Sequence, residues 1–142
     1  EKYTVMTSLV EEKHLEDPKL LRQCPHLFQE YIDKNYETRV TVVGNRVMGT
    51  EIHSQDSETS KIDYRRYDFN VKYAKAELPK NVEDFCLSMV KHYGLSFGSF
   101  DFIFSKKREY VFLELNPNGQ WLWIEQLSGQ KISSELAKHL AS

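Results

Sequence analysis

Asp101, Glu114 and Asn116 have the types and spacing of an oxygen-only metal site. The run from Tyr110 to Asn116 alternates, with Val111, Leu113 and Leu115 expected on one side and Phe112, Glu114 and Asn116 on the other. Pro117-Asn118-Gly119 stops that strand. A second strand, Phe97 to Phe104, precedes it across the polar turn Ser105-Lys106-Lys107-Arg108. Pairing the two with Phe104 opposite Glu109 gathers Phe100, Phe102 and Phe104 with Val111, Leu113 and Leu115 on one apolar face. The same register sets Asp101 on the other face, diagonal to Glu114, with Asn116 at the strand end. A slip of one residue would bring Asp101 to the aromatic side, where an unpaired carboxylate is costly. Two carboxylates and a neutral amide suit Mg²⁺, which completes its shell with phosphate oxygens and water. Ordinary polar residues on a half-solvated strand face would have the same spacing, so the residues alone leave both readings open.

The elements that must position this trio follow from periodicity. Thr38–Val43 and Arg46–Ile52 flank Gly44-Asn45, a two-residue hairpin signal. Its register puts Glu37, Arg39 and Thr41 on one face with Met48 and Thr50, and Val40, Val42 and Val47 on the other. A helix is expected from Asn81, as N-cap, to Tyr93, because Val82, Phe85, Cys86, Met89, Val90 and Tyr93 form one apolar stripe that Gly94 ends. A second helix is expected over 133–141, with Ser133 as cap and Leu136 and Leu140 inward. Tyr3 to Val10 reads as a strand, followed by a helical turn around Lys19 to Arg22. Ser54 to Lys61 is polar without apolar periodicity and reads as a mobile loop able to close over substrate. Trp121 and Trp123 are expected in the loop after the metal strand, as packing, as a lid or as a stacking surface for a peptide.

Glu114-Leu115-Asn116-Pro117-Asn118-Gly119, with Asp101 one strand earlier, resembles the metal signature of ATP-grasp ligases. The longer run from Phe112 to Glu125, including Trp121-Leu122-Trp123, is similar to the ATP-grasp maturases of microviridin or graspetide type, which macrocyclise ribosomal peptides. That resemblance implies the C-terminal part of an ATP-grasp fold: an α+β domain with a mainly antiparallel sheet and helices packed on one face. Residues 1–26 would be the tail of a preceding subdomain and a connection, and 27–142 the lobe that binds nucleotide and metal. It further implies ATP and Mg²⁺, with Mn²⁺ as an alternative, held by Asp101, Glu114 and Asn116. Gln29, Glu30, Tyr31 and Ile32 would form the adenine strip, at the end of a strand entered from Cys24-Pro25, with Glu37 the ribose partner. Arg39 would orient Glu37 or reach a phosphate. Asp63-Tyr64-Arg65 resembles an Asp-x-Arg segment in which Arg65 faces the transferred phosphate, since a guanidinium fork binds phosphate oxygens in pairs. Arg66, pointing oppositely in a strand, would be a surface residue.

The implied reaction is ligation through an acyl-phosphate on a peptide or a small carboxylate substrate. A glutathione-synthetase-like ligase and a non-catalytic nucleotide-binding module are the competing classes. No stretch carries the family's phosphate-gripping lysines or Gly-rich loop, and the chain opens at Glu1 in what reads as mid-domain sequence. The expectation is a piece of a longer enzyme with little activity by itself. Composition narrows the partners. Lys and Arg number 19 against 21 Asp and Glu, a formal net charge of -2, and basic residues cluster only at Lys106–Arg108 and Arg65-Arg66. Nucleic acid is not implied. No apolar run approaches the roughly 20 residues that span a bilayer, so a cytoplasmic protein without membrane contact is expected. A homodimer is compatible with the sequence. Cys24 and Cys86 are too few for a disulfide scaffold and read as packed or free thiols.

Overall fold

Thr38 to Val43 are all buried, because the strand they form is covered on both faces. That strand, β1 (Lys34–Val43), lies at the middle of a five-stranded sheet with β2 (Arg46–Ile52), β3 (Tyr73–Ala76), β4 (Phe97–Ser105) and β5 (Tyr110–Asn116). The order is β3-β2-β1-β4-β5, and every pairing is antiparallel. Three longer helices lie among the described residues: α1 (Lys80–His92), α2 (Leu122–Ser128) and α3 (Ile132–Leu140). The computed structural model describes residues 6–16, 19, 22, 25–66, 68 and 70–141.

The two faces of β1 hold two separate cores. Val40 and Val42 pack with Phe100 and Phe102 of β4 and with Val82, Cys86 and Val90 of α1. Val43, one step out of phase, packs instead with Ile52, Val71, Ile124 of α2 and Ile132 of α3. The α+β class and the antiparallel sheet are as expected, but the helices divide between both faces rather than sharing one. The reason is α2, which sequence reading left as a loop. It begins directly after the turn that follows β5, seats Ile124 on the second face, and carries α3 there with it. Leu136 reaches that core as expected, whereas Leu140 is exposed.

Both expected helix caps are replaced. Lys80 starts α1 behind Pro79, with no side-chain cap, and Lys80 pairs with Asp84 at 2.9 Å instead. The N-terminus of α3 is capped from outside, by Glu125, whose carboxylate accepts from the Ser133 N–H and hydroxyl at 2.6 Å each. Gly94, at φ 62°, ends the α1 region in the left-handed conformation that favours glycine. Cys86 is buried in the first core, and burial pushes its thiol up to about 12. Cys24, the other cysteine, lies outside the described residues, as do Tyr3 to Val5 of the expected opening strand and most of the expected turn around Lys19 to Arg22. The described part of that strand, residues 6–10, joins no sheet; its Thr7 N–H donates to the Asp63 carboxylate at 2.9 Å instead.

Two bulges break the strict alternation of the strands. In β5, Phe102 pairs with Phe112 but Asp101 pairs with Glu114, which leaves Leu113 as the extra residue. Phe104 therefore lies opposite Tyr110, not Glu109, and Phe112 joins the aromatic face beside Phe85, Phe100 and Phe102. Without the bulge Phe112 and Glu114 would share a face; with it, the ring joins the aromatic side, where it stays partly exposed, and the carboxylate lies on the other. In β1, Asn35 is extra between Lys34 and Tyr36, and its amide donates to the Ser105 carbonyl at 2.8 Å.

The segment expected as a mobile loop is pinned. Ser54, Ser57 and Ser60 are buried, the Ser60 hydroxyl donates to the Ser54 carbonyl at 2.8 Å, and the Gln55 amide donates to the Lys61 carbonyl at 2.9 Å. Its hydroxyls serve inward, which a polarity count cannot distinguish from solvation. Deleting Leu113 should remove the bulge and leave Phe112 opposite Phe102 and Glu114 opposite Asp101, each on its present face. Urea denaturation should then show a change within about 1–3 kcal/mol, from local repacking alone, and a larger loss would contradict this register.

Candidate metal and nucleotide site

Arg39, Asp101 and Glu114 stand in one row across β1, β4 and β5, each directly opposite the next. The Arg39 Nη1 donates to both Asp101 oxygens, at 2.8 and 2.7 Å. Its Nη2 donates to the Gln120 carbonyl at 3.3 Å, so one guanidinium ties the carboxylate to the turn after β5. The Glu114 carboxyl is pushed up, first by burial and then by the charge and hydrogen bonding of Asp101, while Arg39 and Arg65 pull it down. Two carboxylates in contact with one nearby guanidinium fork hold more negative charge than they neutralise, and a divalent cation relieves that directly.

Asn116 sits one pair further along, opposite Ser99. Its Oδ1 accepts from the Asn118 N–H at 2.9 Å, which fixes the amide at the start of the turn. The turn then folds back onto the sheet. A Cβ on Gly119 would lie 2.5 Å from Ser99 Cβ and 2.9 Å from the Arg39 guanidinium, so only glycine fits between them. The donors that Asp101, Glu114 and Asn116 offer are all oxygen, two carboxylates and an amide; no three His, Cys, Asp or Glu among the described residues gather to hold a metal ion. The set therefore fits Mg²⁺.

Arg65 lies in a turn over residues 63–66, not a strand. Its Nε and Nη2 donate to Asp63 at 2.8 and 2.6 Å, and its Nη2 also reaches the Thr7 hydroxyl at 3.3 Å. Because a turn lacks strand alternation, Arg66 points the same way and donates to the Thr7 carbonyl at 3.1 Å. Burial raises the Asp63 carboxyl, but its bonds from Arg65 and from the Thr7 and Arg65 N–H groups outweigh that and hold it at about 2. Half of the Arg65 side chain remains exposed, close enough to Glu114 to lower that carboxyl.

The expected nucleotide residues divide. Gln29, Glu30 and Tyr31 are exposed and Ile32 is half-buried, in irregular chain that leads into β1. The strand expected to carry them begins only at Lys34. Glu37 is 5% exposed, and its two oxygens accept from Lys34 Nζ, at 2.5 Å, and from the Ser54 hydroxyl. Burial pushes this carboxyl up, and Lys34 and Ser54 act the other way. Arg39 shares the face of Glu37 as expected, yet its bonds go to Asp101 and Gln120.

Sequence reasoning passed over Lys34, Ser54 and Tyr64. Tyr64 packs in the second core with its ring stacked on Trp123 at 6.0 Å, and burial and then the nearby Asp101 push its hydroxyl up. Its place inside the Asp-x-Arg segment was the available signal. Trp121 and Trp123 pack against the same core, and with Gln120, Leu122 and Gln126 they line a shallow groove.

Two substitutions test this geometry. Gly119→Ala should cost about 1–3 kcal/mol in thermal denaturation by driving the turn off Ser99 and Arg39, where Gly94→Ala, with open space around it, should affect no such contact. For Asp63, whose carboxyl is depressed in the folded state from 3.8 to about 2, stability is gained above pH 4 and lost as pH falls toward 2. Asp63→Asn should flatten that acid limb in a melt series from pH 6 to pH 2.

Comparison with known proteins agrees with this architecture. The model of the RimK-like ATP-grasp domain matches residues 5–140. A RiPP-associated ATP-grasp ligase from Chryseobacterium gregarium, solved in complex with ADP and a leader and core peptide, is 38% identical, with a TM-score of 0.89 over 96% of this chain and 42% of its own. The macrocyclase MdnC from Microcystis aeruginosa MRC, solved bound with precursor peptide MdnA, is 34% identical, with a TM-score of 0.84 over 99% of this chain and 44% of its own. The uncharacterized protein MG012 of Mycoplasma genitalium is 33% identical over 79% of this chain and 38% of its own length. The chain thus spans about two fifths of these relatives' length. With the family model covering nearly all of it, the chain belongs to the RimK-like ATP-grasp family.

Proposed function

We propose that this chain carries the metal and nucleotide side of an ATP-dependent ligase that joins a carboxylate to an amine or hydroxyl, and that its substrate is a ribosomally made peptide, which it macrocyclises. The observation that carries this reading is the contact of Asp101 and Glu114, backed by Arg39 and followed by Asn116 and the turn that Gly119 lets close. Two solved relatives more than 30% identical hold ADP with peptides or a precursor peptide, which favours the peptide substrate over a free amino acid.

In the proposed reaction a substrate carboxylate oxygen attacks the γ-phosphorus of ATP and ADP leaves. An amine or hydroxyl then attacks the acyl carbon of the acyl-phosphate, inorganic phosphate departs, and the nucleophile loses its proton. Asp101, Glu114 and Asn116 would hold Mg²⁺, for which Mn²⁺ can substitute; bound there, the ion supplies fixed positive charge for the phosphate oxygens. Arg39 keeps Asp101 aimed through the two bonds to its carboxylate. The half-exposed guanidinium of Arg65, oriented by Asp63, is placed to meet phosphate or acyl-phosphate oxygens. The backbone over 29–32 would receive the adenine, and Glu37 the ribose. No helix among the described residues is long and apolar enough to cross a membrane, and an ATP-consuming reaction fits the cytoplasm.

Glu114→Gln in the intact protein should keep the fold and lower ATP- and Mg²⁺-dependent phosphate release, measured with a precursor peptide, by about 100-fold or more. Turnover near the wild-type rate in that variant would refute the assignment.

A further inference from the structure

Lys34 is a lysine only 5% exposed, and neither a core residue nor a surface charge explains it. Its ammonium joins β1 to the chain just before the Asp63-Tyr64-Arg65 turn. One acceptor is Glu37 Oε1 at 2.5 Å; the other is the Ile62 carbonyl at 3.2 Å, immediately before the Asp63-Tyr64-Arg65 turn. In a regular strand residues 34 and 37 would point to opposite faces. The bulge at Asn35 turns Lys34 onto the face of Glu37, so a local break in the strand exists where it makes this pair. The second Glu37 oxygen is held by the Ser54 hydroxyl, which is itself bonded by the Gln55 amide at 3.1 Å. A hydroxyl donating to a carboxylate is also what a ribose offers. A nucleotide hydroxyl at that oxygen would have to replace the Ser54 hydroxyl, while Lys34 keeps the other oxygen.

We propose that Lys34 is a positioning residue for the nucleotide: it holds the Glu37 carboxylate for the ribose hydroxyls and, through Ile62, sets the root of the Arg65 turn. The proposal rests on the nucleotide reading above and extends it to a residue that touches neither nucleotide nor metal. A buried ammonium suits this, since it acts against the burial that pushes the Glu37 carboxyl up and can serve two acceptors at fixed separation. Removing it leaves Glu37 buried and poorly held, so its preference for a ribose hydroxyl over none should vanish, beyond any general loss of affinity.

The test is a calorimetric titration of the intact protein, in Mg²⁺, with ADP and with 2′,3′-dideoxy-ADP. The ratio of the two affinities is internal to each variant, so a merely structural loss cancels. Wild type should prefer ADP by about tenfold, the scale of a hydrogen bond to a charged acceptor. Lys34→Met and Glu37→Gln should each bring the ratio close to one, and combining them should lower it no further. Because a buried charge removed alone can unfold a protein, the neutral pair Lys34→Gln with Glu37→Gln is measured alongside, and it too should bind ADP without preference. Loss of the ratio in Glu37→Gln with a wild-type ratio in Lys34→Met would overturn the role of Lys34 alone. A retained preference in the neutral pair, or equal binding of both nucleotides by wild type, would overturn it as well. No binding of ADP by wild type would instead sink the nucleotide reading on which it stands.

Discussion

The buried pairing of Arg39 with Asp101 is the constraint around which this domain is arranged. An uncompensated charge at such depth is prohibitive, and losing one partner of a buried pair typically costs about 3–5 kcal/mol. Arg39 must therefore be opposite Asp101, which fixes the register of β1 on β4 as firmly as any hydrophobic contact. The same guanidinium reaches the Gln120 carbonyl, so the turn after β5 is fixed by the pair that sets the sheet. Glu114 is then delivered against Asp101 by β5, and the site is a consequence of strand order rather than of loop conformation.

Two extra residues make that delivery compatible with a core. Leu113 lets β5 give Phe112 to the aromatic side and Glu114 to the polar side within three residues. Asn35 does the same for β1, turning Lys34 inward beside Glu37. In each case the regular part of the strand packs and the irregular part presents a charged group, the division of labour expected where a sheet carries chemistry. The polar segment over 54–62 belongs to this scheme. Its buried hydroxyls and the Lys34 ammonium hold it to β1, and it leads without slack into Asp63 and Arg65.

The hairpin at Gly44-Asn45, the aromatic face of β4 and the stripe of α1 were all legible in the sequence, since each is set by local period and turn chemistry. The face that Asp101 shares with Glu114 was legible too, although the register that brings them together was not. A bulge costs no unusual residue: Leu113 looks like one more alternating apolar position. Helix α2 was hidden because Trp121, Trp123 and a preceding Asn-Pro-Asn-Gly run read as loop, and its seven residues are too short for a period to emerge. Lys34 and Ser54 were hidden for a different reason. Buried polar residues are the exception that hydropathy patterns assign to the surface, and only the fold reveals that both bond Glu37. Resemblance carried further than pattern here, because the Glu114 to Gly119 run encodes the turn geometry as well as the ligands.

The most direct test of the central claim is an anomalous-scattering experiment on crystals of the protein grown with Mn²⁺ and ADP. A divalent ion held by Asp101, Glu114 and Asn116, beside an Arg39 still bonded to Asp101, is the predicted result. An anomalous peak elsewhere on the protein, with these three side chains uncoordinated at full nucleotide occupancy, would contradict it.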